Sequence, residues 1–115
     1  MIIYVDIDGT ICTEDNKKPK TADDYLAKQP FKDRIEKINK LFDQGHEIHY
    51  WTARGSTSGI DWTYITQQQL KLWDCKYHHL HMNNKPAFDL YICDKSWNSE
   101  EWFTRDLYAQ IDPLV

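Results

Sequence analysis

The sequence predicts an α/β protein built on a parallel sheet. Three observations carry this. Short apolar runs alternate with segments whose apolar residues recur at helical spacing. Stretches rich in Gly, Pro, Asn, Asp, Ser and Thr separate them. The first, second and fourth runs end in Asp6, Thr52 and Asp94, and in parallel sheets ligands bind at the carboxyl ends of strands.

The elements follow in order. Residues 1–7 are almost wholly apolar until Asp6 and read as a strand buried on both faces, which Gly9 breaks. Residues 11–29, centred on Glu14-Asp-Asn-Lys-Lys-Pro19, are polar and irregular and read as a long surface loop of the functional kind. Pro30 is placed to open a helix. Phe31, Ile35, Ile38, Leu41 and Phe42 recur at helical spacing, and Gly45 supplies the stop. Glu47–Trp51 reads as the second strand and 52–59 as a loop. Residues 61–73 read as a helix with Trp62, Ile65, Gln69, Leu72 and Trp73 near one face. Residues 77–82 read as a third strand, 83–86 as a turn and 90–93 as a fourth strand. Ser99-Glu-Glu-Trp-Phe begins an N-capped helix running to about residue 111. Strands alternating with helices imply right-handed crossovers.

Composition sets the class. A chain of 115 residues is one domain's worth, here 1–115. Its 41% hydrophobic and 28% charged residues suit a soluble globular protein. The net charge of −4 argues against bulk nucleic-acid binding. No apolar stretch approaches the roughly 20 residues of a membrane span. The first residues lack the basic start of a signal peptide. The expected location is cytoplasmic. Cys12, Cys75 and Cys93 form no CxxC pair, and an odd, widely spaced set suits a reducing compartment. All three read as small buried thiols. Aromatic residues reach 14%, enough to supply core area that size alone does not. Trp62, Trp73 and Trp102 read as core or interface; Trp97, close to Asp94, is the exception.

The strand ends gather Asp6, Asp8, Thr52, Arg54, Lys85 and Asp94 on one edge. Crowded carboxylates are relieved by a hard divalent cation, and Mg²⁺ leaves positions for phosphate. Lys85 and Thr52 suit the charge of a transferring phosphoryl group. A carboxylate can attack phosphorus to give an aspartyl-phosphate. A second one, two positions on, can protonate the leaving oxygen and then activate water. Asp6 interrupts an apolar strand, which costs stability unless the group is paired or metal-bound. Taken singly, Thr52 and Asp94 read equally well as caps, and Lys85 reads better as a solvated lysine. Their order and common edge raise all three. Arg54 offers a planar fork for a phosphate or carboxylate, and reads as readily as a surface ion pair. His78, His79 and His81 invite a zinc reading. Strand neighbours point to opposite faces, however, and no Cys stands at a zinc-like spacing. They read as ordinary strand histidines, with His79 and His81 on one face.

Asp6-Ile-Asp8-Gly-Thr10 after an apolar strand resembles motif one of the haloacid dehalogenase (HAD) superfamily. Glu47-Ile-His-Tyr-Trp-Thr52 resembles motif two, Asn84-Lys85-Pro86 motif three and Leu90-Tyr-Ile-Cys-Asp94 motif four. The finer likeness is to small capsule and surface-polysaccharide phosphatases, through Thr52-Ala-Arg54 and Lys85-Pro86. The resemblance implies a three-layer Rossmann-like core of about four strands in order 4-1-2-3. It implies Asp6 as nucleophile and Mg²⁺ ligand, and Asp8 as acid/base giving its backbone carbonyl to the metal. Thr52 would bind the phosphoryl group, Lys85 would hold Asp6 and phosphate in register, and Asp94 would complete the metal set. Gly9, Ala53 and Arg54 fall to substrate binding. Segments of about 20 and about 30 residues after motifs one and two leave no room for a cap domain of ordinary size.

The function expected is a Mg²⁺-dependent phosphomonoesterase acting on a sugar phosphate or other small phosphorylated metabolite. A homo-oligomer could cover its open site. Two alternatives stand. A receiver-like phosphorylation switch uses similar groups in another order, with a phosphoacceptor Asp before the Thr/Ser. A catalytically weak HAD-like binding or regulatory protein is supported by Cys93 before Asp94, and by Asn98 where a later acid could lie.

Overall fold

The computed structural model describes residues 1–14, 21–55, 59–85, 89–90, 92–93 and 95–104. Its elements are β1 (Ile2–Asp6), α1 (Ala22–Leu26), α2 (Lys32–Asp43), β2 (Glu47–Trp51), α3 (Thr63–Leu72), β3 (His79–His81) and α4 (Ser99–Thr104). The three strands pair in parallel in the order β1-β2-β3. Tyr4 lies opposite His49 and Asp6 opposite Trp51; His49 and Trp51 then face His79 and His81. Parallel neighbours need crossovers, and α2 and α3 supply them.

One face of the sheet is core. Val5, Ile48 and Tyr50 bury against Ile35, Ile38 and Leu41 of α2 and Leu70 of α3. The period-two alternation of side chains sends Ile2, Tyr4 and Glu47 to the other face, where Ile2 and Tyr4 are exposed. The expectation of burial on both faces is therefore corrected to one face for β1. Tyr4 is covered in part by stacking on His49.

The expected fourth strand differs too. Leu90, Ile92 and Cys93 belong to no strand, and Leu90 and Ile92 are 75% and 86% exposed. Tyr91 and Asp94 lie outside the described residues. A four-residue apolar run satisfies the composition of a strand, but among the described residues it pairs with none of the three strands. Cys93 is correspondingly half-buried and not locked in a strand end.

The segment read as loop contains α1. Thr21 and Asp24 form a reciprocal capping box, Thr21 N donating to Asp24 Oδ2 at 2.9 Å and Asp24 N to Thr21 Oγ1 at 3.3 Å. The segment's two ends are joined. Thr13 N donates to Gln29 O, and Phe31 N to Ile11 O. Pro30 sits in an isolated bridge with Cys12 and the helix begins two residues later. Gly45, at φ +96°, ends α2 as expected. In α3 the buried residues are Thr66, Gln69 and Leu70, whereas Leu72 is exposed. The face is rotated from the apolar reading because a buried cation draws polar side chains inward. At α4, Asn98 Oδ1 accepts from Glu100 N at 2.9 Å, so Asn98, in place of Ser99, gives the capping oxygen. The continuation toward residue 111 lies outside the described residues. Among those described, no helix is long and apolar enough to cross a membrane.

Candidate active site

The site begins where β1 stops. Gly9, at φ +80°, lets the chain turn sharply, and Thr10 N and Ile11 N both donate to Ile7 O. The turn separates two carboxylates with different partners. Asp6 is 42% exposed at its side chain, and Lys85 Nζ meets its Oδ1 at 3.0 Å. Lys85 also sits over the Trp51 ring, 5.3 Å from its centre. Trp51 Nε1 donates to Asn84 Oδ1 at 2.9 Å, which ties the 83–85 turn to β2. The lysine thus reaches Asp6 from across the sheet on a fixed base.

Asp8 meets Arg54. Arg54 Nη2 donates to Asp8 Oδ1 at 2.8 Å, and Nε to Oδ2 at 3.1 Å. The third nitrogen, Nη1, donates to Gln69 Oε1 at 2.7 Å and Thr66 Oγ1 at 3.2 Å. The guanidinium lies over the Tyr25 ring, and Gln69 Nε2 donates back to Tyr25 O. Arg54 is only 3% exposed, yet every nitrogen has an acceptor. Lys28 Nζ adds a second cation 3.0 Å from Asp8 Oδ1. Burial opposes ionisation of Asp8, but the hydrogen bonds and charge of Arg54, then of Lys28, outweigh it and hold its pKa below the usual carboxylate value. Cys12 beside it is pushed up to about 12, by burial first and the Asp8 charge second, and is a neutral thiol.

Thr52 extends the ladder, its N–H donating to His81 O at 3.2 Å. Its hydroxyl accepts from Arg54 N at 3.2 Å, so it is buried as a brace for the 52–54 turn. Ala53 is exposed beside it.

The structure therefore joins Asp6 to Lys85 and Asp8 to Arg54, with Thr52 linking β2 to Arg54. Two expectations for Arg54 are corrected. It is neither a surface ion pair nor a fork open to substrate, because Asp8, Thr66 and Gln69 take all of its guanidinium nitrogens. Asp94 lies outside the described residues. Sequence reading missed Lys28, Tyr25, Thr66 and Gln69 as site residues. The available signal was Thr66 and Gln69 at i, i+3, a polar pair on the buried side of a helix.

No protein-family model matches the chain, and no curated protein matches it. Among solved structures it is similar to a crystal structure of an MCSG target protein from Vibrio cholerae. The TM-score is 0.73 at 22% identity, over 97% of this chain and 100% of that one. The likeness is one of fold. It establishes the α/β architecture as one a natural protein adopts over its full length.

Proposed function

We propose that the chain is a Mg²⁺-dependent phosphomonoesterase of HAD type, with Asp6 as nucleophile. The observation that carries the reading is the Lys85–Asp6 contact at 3.0 Å, made across 79 residues at the end of β1. A strand-end carboxylate that is half exposed and oriented by a lysine is placed to attack a phosphoryl group, whose charge the same lysine neutralises. The reading includes a capless Rossmann-like core, of which the parallel β1-β2-β3 sheet is the described part.

The residues fit a hard cation. Lys85 engages Asp6 through Oδ1, and among the described residues Oδ2 accepts no hydrogen bond. The Asp8 carboxylate is turned onto Arg54 and Lys28, so its contribution to a cation is the main-chain carbonyl. Asp94 is the third ligand of the proposal. Bound there, Mg²⁺ would offset the charge of Asp6 and the phosphate. Asp6 Oδ attacks phosphorus as the P–O ester bond breaks; the leaving oxygen departs as an anion that solvent protonates, and an acyl phosphate remains on Asp6. Asp8, ionised where it stands, takes a proton from the water that hydrolyses it.

The test is phosphate release from an aryl phosphate and a sugar-phosphate panel with Mg²⁺. Turnover should vanish in Asp6→Asn while the fold is kept. A folded, metal-supplied protein inert on the whole panel would overturn the reading in favour of the binding-protein alternative. That alternative draws on Cys93, which stands before Asp94.

A further inference from the structure

A second cluster of ligating side chains, Glu47, His49 and His79, lies on the Tyr4 face of the sheet. Register brings it together: Glu47 and His49 alternate along β2, His79 faces His49 from β3, and His81 stands two positions on. One ligand atom each from Glu47, His49 and His79 lies within 4.8 Å of the other two. His49 Nε2 is 2.8 Å from Glu47 Oε2, and its Nδ1 is 2.8 Å from His81 Nε2. Tyr4 stacks on the His49 ring at 4.5 Å between centres and 8° between planes. His49 is buried, Glu47 is partly buried and His79 is exposed.

We infer that Glu47, His49 and His79 form a site for a divalent transition-metal ion of the Zn²⁺ class. Two imidazoles and a carboxylate are borderline N/O donors, which select Zn²⁺, Cu²⁺ or Ni²⁺ over Mg²⁺. Three protein ligands with an open fourth position is a familiar zinc arrangement. The ion takes His49 Nε2, the atom already aimed at the Glu47 carboxylate. The ring proton then resides on Nδ1, where His81 Nε2 accepts it. That outer hydrogen bond fixes tautomer and ring angle. Tyr4 prevents the ring from swinging. Glu47 and His79, at the solvent side, make the short movements that bring all donors to about 2.0–2.2 Å from the ion. The strand histidines alone do not make such a site; the β2 residues across the register complete it.

The test is equilibrium dialysis of the whole chain against Zn²⁺, with Co²⁺ as an optical stand-in. One Zn²⁺ per chain is expected. His79→Ala and Glu47→Gln should each weaken it at least about 10-fold, and His81→Ala by about 10-fold or more through the outer hydrogen bond. Asp6→Asn should leave Zn²⁺ binding intact, which separates this site from the proposed phosphatase centre. His79 is exposed, so its variant is expected to fold, and circular dichroism checks this. Absence of stoichiometric binding overturns the site, as does binding that survives both ligand variants. Thiolate-to-cobalt charge-transfer bands would assign the ion to a cysteine and overturn it equally.

Discussion

Arg54 grips both carboxylate oxygens of Asp8, at 2.8 and 3.1 Å, from a position 46 residues away in the chain. The guanidinium supplies a planar fork that lysine cannot copy. Removing it leaves a largely buried carboxylate with Lys28 as its remaining cation and strands Gln69 Oε1. Arg54→Ala should therefore destabilise by about 3–5 kcal/mol, the cost of breaking one half of a buried pair. Arg54→Lys should recover only part of this. Urea denaturation measures both, and a loss below about 1 kcal/mol for the alanine variant would refute the account.

The same pair predicts an acid limb of stability. The folded pKa of Asp8 is depressed below its ordinary value of 3.8. The unfolded chain then binds more protons in that range than the folded one. The contribution is complete above the ordinary value and is lost as pH falls through the folded value. Asp8→Asn should flatten the slope of unfolding free energy against pH below about 4. Glu47 and Asp61, also depressed, keep their share in that variant. An unchanged acid slope would show that Asp8 is not ionised as the geometry has it.

An ionised Asp8 is ready to accept a proton from water and poorly placed to give one to a leaving alkoxide. On the phosphatase reading, aryl phosphates, whose leaving groups need no proton, should be turned over faster than alkyl phosphates. The ratio of kcat/KM should reach about 10²-fold, the usual worth of general acid catalysis. Lys28→Ala removes one of the two cations on Asp8 and should narrow that ratio. A leaving-group series on both proteins tests this, and equal rates for aryl and alkyl esters would sink it.

Much of this was legible in the sequence. The pattern of Glu47–Trp51 carries the strand with its observed ends, and the topology brings Asp6 and Lys85, far apart in the chain, to one edge, where they meet. Those inferences rest on local composition and on topology, which sequence carries. Gln69 falls on the face that the sequence implies for α3, but the burial of Thr66 was not legible, because it answers a hydrogen-bonding demand from Arg54 that periodicity does not encode. Nor was the role of Asn98, which looked like a missing acid and is a helix cap. The His49–His79 pairing needed a register between two strands, and no spacing within either strand reveals it.

The turn that delivers Arg54 gives a backbone test. Gly55 follows it at φ +82°, and a Cβ there would press into the carbonyl oxygen of Ile60 and lie 2.9 Å from Asn83 Oδ1. Gly59, at φ +73°, has nothing within 4 Å of the same position. Both substitutions incur the left-handed penalty of roughly 1–2 kcal/mol. Only Gly55→Ala adds a steric clash with backbone, which must move the segment holding Arg54. Gly55→Ala should therefore be the more destabilising by at least about 1 kcal/mol. It should also loosen Asp8, reducing the acid-limb slope where Gly59→Ala does not. Paired urea titrations at neutral and acid pH decide it, and a Gly59→Ala loss equal to or larger than that of Gly55→Ala would reject the proposed packing of this turn.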